Sequence, residues 1–240
     1  MKRIPDESID MILCDLPYGT TANAWDSVIP FNQLWGQYER LIKDNGAIVL
    51  TANQGFTNQL INSKLELYKY KWIWVKSNAT NFINAKNRPM SSFEEILIFS
   101  KGKTANGSNP KMNYFPQGLV SINKTMKNVS SSFGNNAHQW NMPKTYNQEF
   151  TNYPNDVLKF KQEKNGFHPT QKPVALFEYL IKTYTIKGNT VLDNCMGSGT
   201  TAIACLNTDR KFIGFETNKE YFEKSLQRIK NNTTQLNLFE

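Results

Sequence analysis

The order of apolar and polar positions in the first fifty residues predicts a strand, a helix and a second strand. Residues 9–15 form an apolar run that ends at an acid, which is typical of a buried strand. Residues 32–43 repeat apolar side chains at helical spacing, and Asn45-Gly46 is a typical helix stop. Residues 47–51 are again an apolar run of strand length. The chain is therefore expected to begin as strand, helix, strand.

The same alternation continues along most of the chain. The predicted elements are a helix at 54–62, strands at 71–75 and 95–100, a helix from Pro173, a strand at 190–193, a helix at 200–206, a strand at 211–216 and a final helix. This order predicts an α/β fold, with a mostly parallel sheet and helices on both faces. Residues 102–165 interrupt it, because they are rich in Asn, Ser, Lys and Pro and show no clear period. They predict an irregular insert.

The positive charge of the chain is concentrated around this insert. The formal net charge is +8, and the segment from Leu67 to Gln148 holds eleven Lys or Arg and only two acids. A regional field of one sign predicts a polyanionic partner, since phosphate contacts supply affinity that does not depend on sequence. A solvated, lysine-rich surface remains the alternative.

Composition argues against several other classes. With 39% hydrophobic and 20% charged residues, the chain is expected to fold around a packed core. The apolar runs are far shorter than the ~20 residues that span a bilayer, and no signal segment follows Met1, so we expect a cytoplasmic protein without membrane contact. Three cysteines without Cys-x-x-Cys spacing and two histidines predict neither a structural metal site nor a disulfide framework.

A glycine turn in the last third of the chain predicts a cofactor site. Gly197-x-Gly199-x-x-Ala202 lies between a predicted strand and a predicted helix, as in nucleotide-binding turns. Glu216 ends the next strand, where a carboxylate can bind ribose hydroxyls. A nicotinamide cofactor and a simple packing turn stay open. However, Asp193 at the strand end favours the amino group of a methionine moiety over a pyrophosphate, because like charges repel.

A second motif, Asp15-Leu16-Pro17-Tyr18, follows the first predicted strand. An exocyclic base amine that attacks a methyl group moves toward sp³ geometry and gains positive charge. The Asp15 carboxylate and the Leu16 carbonyl are two acceptors that would favour this state. Pro17 restricts the turn, and Tyr18 offers a ring on which a base can stack. An ordinary Asp-x-Pro turn that closes a strand is the alternative.

Taken together, these motifs resemble the amino-group DNA methyltransferase family. The tetrapeptide at 15–18 precedes the glycine turn at 192–201, and this order resembles the permuted (beta) class. Residues 168–173, His-Pro-Thr-Gln-Lys-Pro, resemble a segment that lines the methionine end of the cofactor in that family. Asp at the first catalytic position resembles the adenine-specific members.

The resemblance implies a Rossmann-like, S-adenosylmethionine-dependent methyltransferase fold with permuted motif order. It implies a catalytic half at 1–101, a target-recognition insert at 102–165 and a cofactor-binding half at 166–240. The activity that it implies is methyl transfer from S-adenosylmethionine to the exocyclic amine of an adenine flipped out of double-stranded DNA. Homodimers and a cognate restriction endonuclease are both compatible with the resemblance, and the sequence decides neither.

Residue roles are carried over by position. Asp15, Leu16, Pro17 and Tyr18 would hold and activate the target amine. The expected cofactor-binding residues are Thr170, Lys172, Asp193, Asn194, Gly197, Gly199, Thr200 and Glu216, with Thr170 and Lys172 on the cofactor carboxylate and Glu216 on its ribose. The lysines expected to contact DNA are Lys103, Lys111, Lys124, Lys127 and Lys144.

Two departures from the family pattern keep alternatives open. Leu16 stands where proline is usual, although its carbonyl is retained. Only fourteen residues precede Asp15, whereas similar proteins have a further strand and an acidic turn there, so we expect that element to be missing. The alternatives are cytosine methylation at its exocyclic amine, modification of RNA or of a protein glutamine, and a DNA-binding remnant with impaired catalysis.

Overall fold

The computed structural model describes residues 1–20, 26–127, 145–163, 167 and 170–236. These residues divide into two compact units. The first comprises Met1–Phe115 and Asp156–Glu240, and the second comprises Pro116–Asn155. Within the described ranges, no helix has both the length and the apolar character needed to cross a membrane.

Nine strands and five α-helices account for the described secondary structure. The strands are β1 (Ile9–Cys14), β2 (Ile42–Ala52), β3 (Tyr68–Thr80), β4 (Ser91–Phe99), β5 (Val120–Lys127), β6 (Thr145–Thr151), β7 (Val157–Lys159), β8 (Thr190–Asp193) and β9 (Lys211–Gly214). The helices are α1 (Phe31–Leu41), α2 (Gln54–Ser63), α3 (Val174–Tyr184), α4 (Thr200–Leu206) and α5 (Lys219–Leu236), and a short 3₁₀ turn spans Phe82–Asn84.

The first unit is built on a seven-stranded sheet in the order β7-β3-β4-β2-β1-β8-β9. β2, β1, β8 and β9 pair in parallel, β7 pairs in parallel with β3, and β4 runs antiparallel between β2 and β3. The predicted α/β, Rossmann-like fold is therefore confirmed. The edge at which β1, β2, β8 and β9 end is called the carboxyl edge below, and the other is the amino edge.

Helices cover both faces of this sheet. Successive side chains of β1 point to opposite faces and belong to two different apolar clusters. Ile12 and Cys14 belong to the cluster that contains buried side chains of α1 and α2. Met11 and Leu13 belong to the cluster that contains side chains of α3 and α4. Every residue of β1 is buried, which is typical of a central strand in a sheet covered on both faces.

The predicted helix stop at Asn45-Gly46 is wrong. Helix α1 ends at Leu41, and β2 begins at the next residue. Gly46 instead lies where the β1–β2 register shifts, between the pairs Ile9↔Ile42 and Met11↔Ala47. A Cβ at Gly46 would lie 2.8 Å from the Asp10 carbonyl oxygen, so this irregular stretch of strand requires glycine.

The second unit contains a hairpin where the sequence predicted irregular structure. β5 and β6 pair antiparallel, with Val120 opposite Thr151 and Lys127 opposite Thr145. Both strands are almost wholly exposed. Apolar side chains do recur at alternate positions, at Val120, Ile122 and Met126 of β5 and at Tyr146 and Phe150 of β6, but four of these five are exposed, so they do not mark a core-facing strand. The unit is shorter than the expected insert of 102–165, because the segments on either side of it, including β7, pack with the first unit.

Candidate active site

Three acids meet at the carboxyl edge of the sheet. Asp15 directly follows β1, Asp193 ends β8, and Glu216 lies just beyond β9. These strands are neighbours, so their ends meet at the position where open α/β sheets bind ligands. All three acids line one cavity of about 580 Å³, a volume typical of small-molecule sites.

Most of the predicted catalytic and cofactor-binding residues line the same cavity. They are Asp15, Leu16, Pro17, Tyr18, Thr170, Lys172, Asp193, Asn194, Gly197, Thr200 and Glu216. Two motifs that are about 180 residues apart in sequence therefore share one space. This convergence results from the pairing of β1 with β8.

The Asp15 carboxylate is held at both oxygens. Its Oδ1 accepts hydrogen bonds from the Tyr18 hydroxyl at 2.8 Å and from the Thr51 hydroxyl. The Tyr18 hydroxyl also lies 3.0 Å from the Thr51 oxygen. Oδ2 accepts a hydrogen bond from Lys172 Nζ at 2.7 Å. The side chain is thus fixed in position before any ligand arrives, which is the arrangement that preorganised catalysis requires.

Lys172 lies within this cluster and is almost fully buried. Its Nζ is 2.7 Å from Asp15 and 3.3 Å from Glu94 Oε2. Burial by itself would lower the pKa of Lys172, but the two carboxylates outweigh it and the pKa is raised. Lys172 is therefore a cation that bridges two acids. The sequence placed Lys172 on the cofactor carboxylate, whereas in the structure its ammonium contacts Asp15.

Three members of this cluster were not predicted from the sequence. Thr51 is the residue before the last one of β2, and Glu94 lies in β4. Lys76 lies in β3, and its Nζ is 3.0 Å from Thr80 Oγ1 and 3.5 Å from Glu94 Oε1. Glu94 Oε2 is buried and has the Lys172 ammonium, 3.3 Å away, as its ion-pair partner, although this pair does not have hydrogen-bond geometry. The only sequence signal for these residues was the acid pair Glu94-Glu95 directly before an apolar run. Such a pair does not indicate which residues the acids contact.

Leu16 and Tyr18 differ in what they present to the cavity. The Leu16 side chain is buried in the core, so its backbone is the part available to a ligand. The Tyr18 ring stacks on Phe56 with centroids 4.9 Å apart, which covers one of its faces. Burial, together with Asp15 and Glu94, raises the pKa of Tyr18 well above its ordinary value, so its hydroxyl remains a donor. Stacking of a base on Tyr18 stays a prediction.

Asp193 anchors the start of the glycine turn. Its Oδ1 accepts the Cys195 backbone N–H at 3.0 Å, and its Oδ2 accepts the Thr201 hydroxyl at 2.5 Å. Burial raises the pKa of Asp193 to about 6, although these hydrogen bonds favour the charged form. Burial therefore destabilises the charged form of this carboxylate, and a cationic group of a ligand would stabilise it.

The turn and the next strand are linked directly. Glu216 Oε2 accepts the Gly197 backbone N–H at 2.9 Å, and Oε1 accepts the Asn218 N–H at 2.8 Å. Gly199 has a φ of 74° and is packed closely, since a Cβ there would lie 3.2 Å from Ser225 of α5. These features account for glycine at position 199. A contact of Gly199 with the cofactor stays a prediction.

The remaining predicted cofactor residues surround this turn. Asn194 Oδ1 accepts the Tyr38 hydroxyl at 2.6 Å. The buried Thr200 hydroxyl donates to the Lys172 carbonyl at 3.2 Å and accepts from Arg228 at 3.0 Å. Thr170 lies on the cavity lining beside Gln171, whose Oε1 is buried without a hydrogen-bond partner among the described residues. His168, in the same motif, lies outside the described residues.

The predicted DNA-binding lysines in the described ranges are divided between the two units. Lys124 and Lys127 are exposed on β5 of the second unit. Lys103 and Lys111 are exposed in the first unit, in a loop whose Asn113 N–H bonds to the Asn45 carbonyl near the start of β2, at the amino edge. They lie there because β4 runs antiparallel and takes the chain away from the carboxyl edge. Lys144 lies outside the described residues.

The acceptors of the cavity suit a ligand with amino and hydroxyl donors. Asp193 and Glu216 present carboxyl oxygens to the cavity, and the buried Gln171 Oε1 has no hydrogen-bond partner among the described residues. This set fits an amino acid and a ribose far better than a pyrophosphate. In the described part of the chain, no group of His, Cys, Asp or Glu is arranged to hold a metal ion.

Comparison with known proteins agrees with this chemistry. The N6/N4 DNA methylase family matches residues 9–227. The DNA adenine methyltransferase YhdJ of Escherichia coli (strain K12) is 29% identical over 249 residues, which cover 95% of this chain and 79% of that protein. The type II methyltransferase M.HpaI of Haemophilus parainfluenzae is 29% identical over 245 residues, which cover 95% of this chain and 70% of that protein.

Solved structures show the same fold. The complex of M1.HpyAVI with SAM is 28% identical, with a TM-score of 0.59 over 95% of this chain and 90% of that one. The cytosine-N4-specific PvuII DNA methyltransferase superposes with a TM-score of 0.64 at 16% identity, over 98% of this chain and 87% of that one. Since the family match spans nearly the whole chain, this protein belongs to the N6/N4 DNA methylase family and is a DNA methyltransferase.

Proposed function

We propose that this chain transfers a methyl group from S-adenosylmethionine to the exocyclic N6 amine of adenine in double-stranded DNA. The observation that carries the proposal is the shared cavity, which is lined by the Asp15 motif on one side and by the Gly197 turn and Glu216 on the other. When bound, S-adenosylmethionine supplies an electrophilic methyl group. The chain then has to hold the amine in line with that methyl.

The cofactor-binding residues fit this donor. Asp193 and the buried Gln171 oxygen are acceptors for an ammonium group, and Glu216 is an acceptor for ribose hydroxyls. The Gly197 backbone, at a φ of 45°, lets a ligand come close to the turn. Thr200 stands at the start of α4, where the helix dipole favours a carboxylate.

Asp15 is the acceptor for the target amine. One amine N–H donates to the Asp15 carboxylate and the other to the Leu16 carbonyl, which moves the nitrogen lone pair toward the methyl carbon. Transfer of the methyl group to this nitrogen would break the methyl group's bond to the cofactor sulfur, which would leave as a neutral thioether, and Asp15 would accept the proton that the methylated amine then loses. The hydrogen bond from Lys172 keeps the Asp15 side chain oriented.

Two observations support adenine as the target base. YhdJ is named as a DNA adenine methyltransferase, and Asp15 matches the residue type of adenine-specific members. The amine of adenine cannot be reached inside a duplex, so the base has to be flipped into the cavity.

Labelled methyl transfer tests the proposal. The protein is incubated with methyl-labelled S-adenosylmethionine and unmethylated bacterial genomic DNA, and the DNA is digested to nucleosides. Label in N6-methyladenine is the expected result. Label in N4-methylcytosine would overturn the base assignment and keep the mechanism, whereas absence of label in DNA would overturn the function.

For the second unit we propose a role in target recognition. Its support is the pair of exposed lysines on β5, Lys124 and Lys127, in a region without acids from Ile96 to Gln148. Replacing both with Ala should weaken DNA binding and reduce the slope of log K against log salt by about 2. The matched control replaces Lys103 and Lys111, at the amino edge. An equal change in slope for both pairs would contradict the assignment.

A further inference from the structure

The turn between β3 and β4 projects from the carboxyl edge beside the cavity. It comprises residues 81–90 and is called the β3–β4 turn. Thr80, at the end of β3, pairs with Ser91, at the start of β4. Three residues at the base of this hairpin, Lys76, Thr80 and Glu94, line the cavity. The turn therefore extends from two strands that form part of the cavity wall.

Two apolar side chains at the tip of the turn are almost fully exposed to solvent. Phe82 is 77% exposed and Ile83 is 94% exposed, and they are the two most exposed large apolar residues in the described ranges. Single exposed apolar side chains are common, but two consecutive ones beside a cavity are typical of an interaction site.

The turn presents these side chains from an ordered backbone. The Ala85 N–H donates to the Phe82 carbonyl at 2.9 Å, and the Arg88 N–H donates to the Asn84 carbonyl at 3.0 Å. The Arg88 guanidinium also reaches the Gln54 side chain, at the start of α2, at 3.3 Å. An ordered turn loses little conformational entropy when it inserts into a partner.

The charge around the turn identifies DNA as the partner that it fits. From Ser77 to Phe93 there is no acid, and Lys86 and Arg88 are both exposed. Exposed apolar side chains followed by exposed basic ones match a duplex, which offers apolar base faces next to rows of phosphates. A self-association surface would gain nothing from two cations of the same sign on each copy.

We infer that Phe82 and Ile83 enter the base stack at the target and occupy the space that the flipped adenine leaves. The inference rests on the proposed function. Extruding a base costs stacking and pairing energy, and an inserted apolar side chain restores part of the stacking and delays return of the base. The β3–β4 turn is thus a wedge that acts on duplex DNA, while the chemistry remains at Asp15.

The test compares two duplexes that differ only in how easily the target base leaves. The methylated sequence is first identified in genomic DNA modified by the wild-type protein. One synthetic duplex pairs the target adenine with thymine, and the other has an abasic site opposite it, so that extrusion costs less. The variant is Phe82→Ala/Ile83→Ala, and the control is Ile186→Ala, which removes an apolar side chain of 55% exposure before β8 at the amino edge.

The double variant should methylate the paired duplex about tenfold more slowly than wild type and the abasic duplex within about twofold of it. Equal loss on both duplexes, or no loss on either, would overturn the wedge. Sedimentation of the free proteins adds a second check, because a change of oligomeric state in the variant would assign the tip to a second copy of the chain. Failure of the wild-type protein to methylate any DNA would instead count against the proposed function.

Discussion

The catalytic and cofactor-binding parts of the cavity differ in how far along the chain their contacts reach. Asp15 is held by Thr51 and Lys172, which lie 36 and 157 residues away. Asp193, in contrast, binds groups two and eight residues away, and Gly197 binds Glu216 at a distance of nineteen residues. Asp193 and Gly197 are therefore held by short-range contacts, although Asn194 of the same turn accepts the Tyr38 hydroxyl from 156 residues away. Apart from the hydrogen bond from Tyr18, the contacts that hold Asp15 form only when distant parts of the chain come together.

Among the residues that hold Asp15, Lys172 is expected to have the largest effect and to separate the two parts. Because its ammonium contacts Asp15 and Glu94, Lys172→Met should lower kcat by about a hundredfold and leave KM for the cofactor within about twofold. Steady-state kinetics with DNA in excess measures both constants. Lys172→Arg, which keeps the charge, should recover part of the loss. A rise in KM for the cofactor at unchanged kcat would instead place Lys172 on the cofactor carboxylate.

The next effect is a pH dependence of stability that belongs to the cofactor part. The pKa of Asp193 is raised to about 6 in the folded protein, above its ordinary value of 3.8. Because the folded protein binds this proton more tightly than the unfolded chain does, protonation of Asp193 adds to the free energy of unfolding at low pH. This contribution is lost as the pH rises through 6. Relative to Asp193→Asn, the wild type should lose on the order of 2 kcal/mol between pH 4 and pH 7.

Urea unfolding of both proteins at several pH values measures this difference. Groups that titrate alike in the two proteins cancel in the comparison. A difference that does not change with pH would show that Asp193 is not a destabilised anion.

The smallest expected effect concerns cofactor binding by Glu216. In Glu216→Gln, an amide replaces a carboxylate that accepts two backbone N–H groups, so the turn loses a charge-assisted hydrogen bond. The Kd for S-adenosylmethionine should rise about tenfold, with kcat at saturating cofactor unchanged. Calorimetric titration measures the Kd. The matched control is Glu220→Gln on the exposed surface of α5, and an equal rise for that control would contradict the assignment.

The range of the contacts also explains which features could be predicted from sequence. Asp15, the glycine turn and Glu216 were recognisable because each follows a strand within a short motif. Thr51 and Glu94 were not recognisable, because they lie in other strands and their flanking sequence does not indicate which residues they contact. Gly46 was misread because a helix stop and a strand irregularity both require glycine. The position of Lys103 depended on the direction of β4, which an apolar run does not reveal.

The most direct test of the central claim is Asp15→Ala measured with two readouts on one preparation. The claim is that Asp15 acts on the target amine while the cofactor is held by the β8–β9 side of the same cavity. Single-turnover methyl transfer to DNA and calorimetric binding of S-adenosylmethionine report on the two tasks separately. The predicted result is loss of transfer by at least about a thousandfold with the Kd within about twofold of wild type. Loss of both together, or retention of transfer, would contradict it.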